Sequence, residues 1–442
     1  MRRWVWGAIS VAAAAALLSL KRPSSGLSVQ SATAGEMPGL TTTTEGVVPL
    51  AARLTTSEAA PSAPSLAGLD LNKVGVDDSG VMAPLAGGRV ARLTLEPELQ
   101  QTAIRLLRAY KLPEASIVMV SPETGDVLVY ASHVEEGKSR DLVLEASAPA
   151  ASVFKVITGA ALVEQAGLTP DTRQCFSGGE HDIRPIDLED NPHRDRWCTS
   201  LSGAMGRSVN TVFARLALKH LKTAGLEEMA KSFGFGEPVP FDLPVAPSTL
   251  KFPPEPVGFA RTAAGFWNTT LSPIESVWIS TILARGGEAP RLRLVREVVA
   301  DGKSVWTAPP GGPALRRVVS PETARAVTTM MEHTVSEGTS YRAFRDRRGA
   351  SFLPDIAVAG KTGTLTDPQT SRFYTWFTGF APSRPHGTTK QVAMPVKGLV
   401  AALATFCDQR GPPIRIRFFG AAARIISTQG WAVFFHVLQS SG

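Results

Sequence analysis

The fold of this chain is decided by one short segment, Ala151-Ser152-Val153-Phe154-Lys155-Val156-Ile157. On a helix, the Ser152 hydroxyl and the Lys155 amine would share one face, with Cβ atoms about 5–6 Å apart. A lysine at that distance can take the serine proton if burial keeps its amine neutral. Apolar residues then repeat at helical spacing as far as Gly167. The segment therefore predicts either a nucleophilic serine at the start of a helix or a serine that only caps it.

A second Ser-x-x-Lys match, Ser248-Thr249-Leu250-Lys251, lies in a different context. Prolines on both sides, Pro247 and Pro253-Pro254, favour a loop over a helix. Chance alone is expected to give about two such matches in a chain of this length. The context therefore selects Ser152 as the candidate, and the rest of the chain has to support it.

The chain has 442 residues and a net charge of +7, with basic and acidic residues intermixed. That length is enough for one large domain or two ordinary ones. Because the sequence has no basic stripe with interleaved aromatic residues, we predict that it does not bind nucleic acid. The positive balance favours an anionic substrate or surface. No Cys-x-x-Cys pair and no metal-like histidine spacing occur, so we predict neither a metal site nor a cofactor.

Residues 1–22 predict a membrane anchor or a signal peptide. An apolar run, Trp4–Leu20, lies between Arg2-Arg3 and Lys21-Arg22. The run is short for a membrane span and long for a signal-peptide core, so an uncleaved anchor and a cleaved signal both fit. Either one predicts that the remainder works outside the cytoplasm, on the periplasmic side of the inner membrane.

Three cysteines, Cys175, Cys198 and Cys407, bear on that placement. In an oxidising compartment Cys175 and Cys198 can form a disulfide, with Cys407 left over. Two free buried thiols are the alternative that the sequence leaves open.

Residues 23–88 are predicted to be a disordered linker. The stretch is rich in Ser, Thr, Pro, Ala and Gly and lacks a sustained apolar period. Such a composition buries too little surface to offset the entropy of ordering the chain. We interpret it as a tether between the membrane and a folded domain, residues 89–385.

From residue 89 onwards the pattern predicts an α+β domain. Two β-rich runs, Ala115–Val120 and Val127–Tyr130, flank a Pro/Gly turn and predict a hairpin. Further along the chain, the predicted elements are a helix over 199–221 that breaks near 206–208, helices over 273–285 and 321–334, and strands at 361–364 and 373–380. Strands at both ends with helices between them predict an antiparallel sheet with packed helices.

Two further motifs follow the Ser152 segment in the chain. Ser208-Val209-Asn210 places a hydroxyl and an amide on one short turn, and alone it could be an exposed helix kink. Lys361-Thr362-Gly363-Thr364 is more specific, because chance gives such a tetrapeptide in only about one or two chains per hundred. Alone it could be an edge strand whose lysine discourages aggregation. The order Ser-x-x-Lys, Ser-x-Asn, Lys-Thr-Gly is the signature set of serine β-lactamases and penicillin-binding proteins.

The chain resembles the penicillin-binding transpeptidases, which cross-link peptidoglycan. The resemblance covers about 93–382 and includes segments besides the three motifs: the hairpin 117–131, 233–236, 242–244, 337–339 and 376–382. It implies the DD-peptidase/β-lactamase-like α+β fold. The anchor and tether fit the single-function, class B-like members, although the linker is short for their usual N-terminal domain.

The resemblance implies acyl transfer by four residues. Ser152 would attack the carbonyl between the terminal D-alanines of a stem peptide, with Lys155 as general base. Ser208 would relay a proton toward the leaving D-alanine or from the incoming amine. Asn210 would hold Lys155 and the substrate amide.

The third motif would bind the substrate. Lys361 would supply positive charge, and Thr362 and Thr364 would bind the terminal carboxylate. Gly363 would let the ligand approach the backbone. The backbone N–H groups of Ser152 and Thr364 would form an oxyanion hole, typically worth about 10²–10³ in rate per donor.

Several related activities share these motifs. A class A β-lactamase needs a water-positioning glutamate, and we find no Glu-x-x-Leu-Asn between the second and third motifs. Class D enzymes have a motif resembling Ser-x-Val at the second position of the set, whereas this chain has Asn210 in place of the valine. A D,D-carboxypeptidase differs only in its acceptor, and a β-lactam sensor or inactive homologue also stays open. The expected partners are stem peptides, β-lactams as inhibitors, the membrane, and a cell-wall synthesis complex.

Residues 386–442 form an atypical tail, because the resemblance ends after Phe380-Ala381-Pro382. The family would add one more strand and a closing helix, but Gln391–Met394 runs into Pro395, which is poor for a paired strand. We expect either a shifted reading frame, which would leave the sheet without its closing elements, or a divergent C-terminus that functions.

Overall fold

The computed structural model describes residues 64–384, except 78–79, 111, 136, 138, 180–181 and 368–371, and the backbone of 399–408. The predicted anchor, most of the linker and most of the tail lie outside these residues. Among the described residues, no helix combines the length and hydrophobicity that a membrane crossing needs.

The described region combines eight α-helices with two five-stranded and two two-stranded antiparallel sheets. The helices are α1 (Pro97–Ala109), α2 (Lys155–Glu164), α3 (Leu201–Gly206), α4 (Asn210–His220), α5 (Thr223–Ser232), α6 (Pro256–Ala263), α7 (Pro273–Ala284) and α8 (Pro321–Ser336). The strands are β1 (Gly75–Asp77), β2 (Gly80–Pro84), β3 (Val90–Leu93), β4 (Glu114–Val120), β5 (Val127–Val134), β6 (Arg173–Phe176), β7 (Trp197–Ser200), β8 (Glu288–Pro290), β9 (Val295–Ala300), β10 (Lys303–Thr307), β11 (Ala314–Arg317), β12 (Ala359–Thr366), β13 (Arg372–Ala381) and β14 (Leu399–Asp408).

The principal sheet has the strand order β12-β13-β14-β4-β5, and each neighbouring pair is antiparallel. The α+β prediction with an antiparallel sheet is thus confirmed, as is the β4–β5 hairpin. Helix α2 is buried on every side from Lys155 to Leu162. A helix so enclosed needs small and aliphatic residues all round, which explains its run of alanines, valine and isoleucine.

Strand β14 lies in the middle of this sheet, and the sequence analysis did not recognise it. Val400 pairs with Val120 of β4, and Leu399 pairs with Ala381 of β13. The sequence of β14, Leu399–Asp408, is nearly continuously apolar, so it lacks the alternation by which a strand is usually recognised. Of the two alternatives for the tail, the one in which the sheet lacks this strand is therefore wrong. The closing helix and the cause of the atypical tail concern residues outside the described region and stay predictions.

The second sheet has the order β1-β2-β3-β9-β10, and its first two strands correct the predicted linker. Val81, Ala83 and Leu85 are buried, so alternate residues of β2 and its end face the core. The folded region therefore begins before residue 89. The local abundance of glycine and proline concealed this two-residue period.

A small hairpin of β6 and β7 carries the disulfide between Cys175 and Cys198. Of the two alternatives for these cysteines, the structure has the bonded one. The third cysteine, Cys407, lies on β14.

Candidate active site

Ser152 lies on a 3-10 turn, Ala151–Phe154, that leads directly into α2. The backbone before it is held in place, because the Trp376 indole N–H donates to the Pro149 carbonyl at 2.9 Å. Ala151 has φ 49°, a left-handed conformation that is uncommon for a residue with a side chain. The turn leaves Ser152 partly exposed while Lys155, the first residue of α2, is fully buried.

The Lys155 amine has three oxygen neighbours. Its Nζ lies 2.8 Å from Ser152 Oγ, 2.7 Å from Asn210 Oδ1 and 2.5 Å from the Ala264 carbonyl oxygen. Burial, and then the positive charge of Lys361, hold the pKa of Lys155 well below its usual value. A neutral amine has two N–H groups and one lone pair. In that neutral form, Asn210 Oδ1 and the Ala264 carbonyl oxygen take the two N–H groups, because these two atoms can only accept. The lone pair is then left for the Ser152 hydroxyl.

The second motif forms the corner between α3 and α4. Ser208 has φ 59° and lies two residues beyond the end of α3, whereas Asn210 begins α4. The predicted break near 206–208 is confirmed. The Ser208 hydroxyl lies 3.0 Å from Lys361 Nζ, so this corner contacts both lysines of the site: Lys155 through Asn210 and Lys361 through Ser208.

Helix α4 is fixed by a buried arginine that the sequence analysis did not single out. The Arg215 side chain is fully buried and donates to Asp195 at 2.6 Å and to the Cys175 carbonyl at 2.9 Å. These bonds tie the disulfide hairpin to the helix that begins at Asn210. A buried arginine needs such partners, and only the fold shows which acidic residue supplies them.

The third motif lies on the edge strand β12, beside the Ser152 turn. Lys361 is fully buried, so the alternative of an exposed edge-strand lysine that discourages aggregation is wrong. Burial lowers the pKa of Lys361 to about 7. A Cβ on Gly363 would lie 3.3 Å from both the Ala150 carbonyl oxygen and the Ala151 Cβ, so glycine allows this close passage. Thr364 is exposed beyond it.

Thr362 is linked to the second motif through Thr339. The two threonine hydroxyls lie 2.6 Å apart, and the Thr339 backbone N–H donates to the Gly206 carbonyl at 3.0 Å. The structure thus brings all eight predicted site residues into one region: Ser152, Lys155, Ser208, Asn210, Lys361, Thr362, Gly363 and Thr364.

The Ala264 carbonyl is the part of the site that sequence reasoning missed. Gly265, which follows it, has φ 83° and terminates α6 as a C-terminal glycine commonly does. A glycine after an apolar helical run could have indicated the helix end. Nothing in the sequence could have shown that the carbonyl reaches Lys155.

The fold and the serine–lysine pair define a class, the penicillin-binding proteins with a transpeptidase domain. The chain belongs to this family, since the family model described as the penicillin-binding protein transpeptidase domain matches residues 115–395.

Known relatives agree with this assignment. Stage V sporulation protein D of Bacillus subtilis is 25% identical over 331 residues, which is 70% of this chain and 50% of that protein. The chain thus spans about half the length of that curated relative. A D,D-transpeptidase domain from Eggerthella lenta has a TM-score of 0.60 at 24% identity, covering 78% and 85% of the two chains. A penicillin G acyl-enzyme complex of penicillin-binding protein A from M. tuberculosis has a TM-score of 0.58 at 21% identity, covering 76% and 80%.

Proposed function

We propose that this chain is a peptidoglycan D,D-transpeptidase that forms an acyl-enzyme on Ser152. The observation that carries the proposal is the arrangement of the Lys155 amine. Its N–H groups are taken by Asn210 and Ala264, and its lone pair is free to accept the Ser152 proton at 2.8 Å. A base of lowered pKa beside a nucleophile is what serine acyl transfer needs near neutral pH.

In the acylation step, Ser152 Oγ forms a bond to the penultimate D-alanine carbonyl carbon while its proton moves to Lys155. The oxyanion would be stabilised by the backbone N–H groups of Ser152 and Thr364. The C–N bond to the last D-alanine then breaks, and the proton passes through Ser208 to the leaving amine. In the second half of the reaction, an acceptor amine attacks the acyl-enzyme carbonyl and gives up its proton through Ser208 to Lys155. The new amide bond forms, the ester bond to Ser152 breaks, and Ser152 Oγ recovers a proton from Lys155.

The third motif is suited to the terminal carboxylate of the substrate. With a pKa of about 7, Lys361 is only part-charged near neutrality. An incoming carboxylate favours the protonated form of a neighbouring amine. We therefore propose that substrate binding itself charges Lys361, with Thr362 and Thr364 as hydroxyl partners. β-Lactams that carry a carboxylate would enter in the same way, and the related M. tuberculosis protein is described as forming a penicillin G acyl-enzyme.

The proposal includes an extracytoplasmic location, anchored by residues 1–22, within a class B-like cell-wall synthesis system. The Cys175–Cys198 disulfide supports an oxidising compartment. The apolar run at the start of the sequence supports the anchor.

A labelled penicillin tests the proposed nucleophile. We expect covalent labelling of the wild type and none of Ser152→Ala, measured by gel fluorescence and intact mass. The matched control is Ser248→Ala, which removes the serine of the other Ser-x-x-Lys match and should label normally. Labelling that survives Ser152→Ala would refute the assignment. Product analysis with a D-Ala-D-Ala peptide, with and without an amine acceptor, then separates transpeptidation from carboxypeptidation.

A further inference from the structure

The last carbonyls of α6 divide into two groups. The Arg261 and Thr262 carbonyls accept backbone N–H groups of the following turn at 2.9 Å. The next two carbonyls, of Ala263 and Ala264, have no such partner and are at the end of a helix, where carbonyls need one. Both are taken by side chains of α2.

These two side chains are Thr158 and Lys155. The Thr158 hydroxyl donates to the Ala263 carbonyl at 2.7 Å, and Lys155 Nζ donates to the Ala264 carbonyl at 2.5 Å. Because they are three residues apart, they lie on the same face of α2. One face of α2 thus receives the last two carbonyls of the α6 end, those of Ala263 and Ala264.

A glycine makes this approach feasible. A Cβ on Gly265 would lie 2.3 Å from the Ala151 carbonyl oxygen and 3.0 Å from Ser152 Cα. The first distance is too short for any real side chain, and the second is tighter than nearly all Cβ contacts in proteins. The turn after α6 therefore packs directly against the backbone of the nucleophile, and no larger residue would leave the Ala264 carbonyl where it is.

We propose that the C-terminal end of α6 is a positioning element for the proton transfer from Ser152 to Lys155, with Thr158 as its anchor. The Ala264 carbonyl holds one N–H of the neutral amine, which directs the lone pair at Ser152. When Lys155 takes the proton, the same carbonyl and the negative end of the helix stabilise the new ammonium. This inference rests on the proposed function, since it concerns the same acylation step.

The surroundings of Lys155 show why such an element is needed. Lys361 from β12 is the charged neighbour that lowers the pKa of Lys155, in addition to burial. The groups from α4 are neutral: the Asn210 amide and the Phe213 ring, whose centroid lies 5.8 Å from Nζ. The α6 carbonyl end acts in the opposite direction from burial and Lys361, because it favours the ammonium.

Thr158→Val tests the anchor with little change in side-chain shape. Thr158 is fully buried, so the substitution removes its hydroxyl donor and leaves the branched side chain. We expect acylation by penicillin to slow roughly tenfold, the size of a favourable helix-terminus effect. The acidic limb of the pH–rate profile should move to lower pH, because the ammonium loses part of its stabilisation. Thr158→Ser restores the hydroxyl and should restore both the rate and the limb.

The matched control is Thr281→Val on α7. This threonine is also fully buried and donates to a helix carbonyl, that of Val277, at 2.8 Å, but it does not contact Lys155. It should leave the pH–rate profile in place. The inference would be overturned if the acidic limb of the pH–rate profile did not move in Thr158→Val. It would also be overturned if both valine variants lost the same acylation rate and Thr158→Ser did not restore it.

A titration that needs no turnover separates this inference from the proposed function. The ¹³Cε resonance of Lys155, assigned by its disappearance in Lys155→Met, should titrate at lower pH in Thr158→Val than in the wild type. If Thr158→Val does not give a wild-type thermal transition, Thr158→Ala removes the same hydroxyl without the added methyl. An unlabelled wild type refutes the proposed function, whereas an unchanged Lys155 titration refutes the role of α6.

Discussion

The two Ser-x-x-Lys segments of this chain have opposite patterns of burial. In the segment that we propose as the active site, Ser152 is partly exposed and Lys155 is fully buried. In the other segment Ser248 is fully buried and Lys251 is exposed. Ser248 also accepts a hydrogen bond from the Ser272 backbone at 3.3 Å, so it serves the packing of α7. An accessible hydroxyl beside a desolvated amine suits the proposed nucleophile. The reverse arrangement makes a structural serine and a solvated surface charge.

The largest effect should come from removing the buried amine. Lys155→Met keeps an apolar side chain of similar length but cannot accept a proton, so acylation should slow about 10²–10⁴-fold. The same substitution at the other segment, Lys251→Met, should have no measurable effect. Stopped-flow acylation by a chromogenic penicillin measures both. If Lys155→Met and Lys251→Met slowed acylation equally, burial of the lysine would not distinguish the two segments.

A smaller effect is expected at Lys361. Lys361→Gln removes a charged hydrogen-bond donor for the carboxylate, so acylation at low penicillin concentration should fall about tenfold to a hundredfold. It also removes the positive charge that lowers the pKa of Lys155. The acidic limb of the pH–rate profile should therefore move to higher pH, opposite to the shift expected for Thr158→Val. A limb that stays in place would show that the two lysines are not electrostatically linked.

The segment around Ser248 should respond in stability rather than in activity. Burial raises the pKa of its fully buried neighbour Glu275 from 4.5 to about 8, with Ser248 acting in the opposite direction. A raised folded-state pKa stabilises the protein below pH 4.5, and this contribution is lost as pH rises through about 8. Glu275→Gln stays neutral, so at pH 9 it should be more stable than the wild type, on the order of 5 kcal/mol.

Urea unfolding at pH 5 and pH 9 measures this difference. Near pH 5 the two proteins should have similar midpoints, and penicillin labelling should be the same for both. If Glu275→Gln were less stable than the wild type at both pH values, Glu275 would be ionised in the folded protein and its carboxylate would stabilise the fold.

The sequence predicted those parts of the fold and site that local patterns specify. The β4–β5 hairpin, the start of α2 and the break at Ser208 each depend on residues close together in the chain. The positions of Ser152, Lys155 and Lys361 followed from motif order.

Other parts depend on contacts that local patterns do not encode. Strand β14 is a short apolar run whose partners are set by the whole sheet, and its side-chain pattern does not alternate. The Ala264 carbonyl reaches Lys155 across 109 positions of the chain. Every residue type has a backbone carbonyl oxygen, so no side-chain motif could have predicted this contact.

The strand order of the principal sheet has a consequence for the biosynthesis of the protein. Among the described strands, the early hairpin β4–β5 joins the rest of the sheet through β14 alone. Val400 of β14 pairs with Val120, about 280 positions earlier in the chain. All three motifs of a nascent chain therefore leave the ribosome before β14, the strand that joins the two halves of the sheet, has been synthesised. A stop codon just before residue 399 would yield a polypeptide with all three motifs and two unconnected sheet fragments.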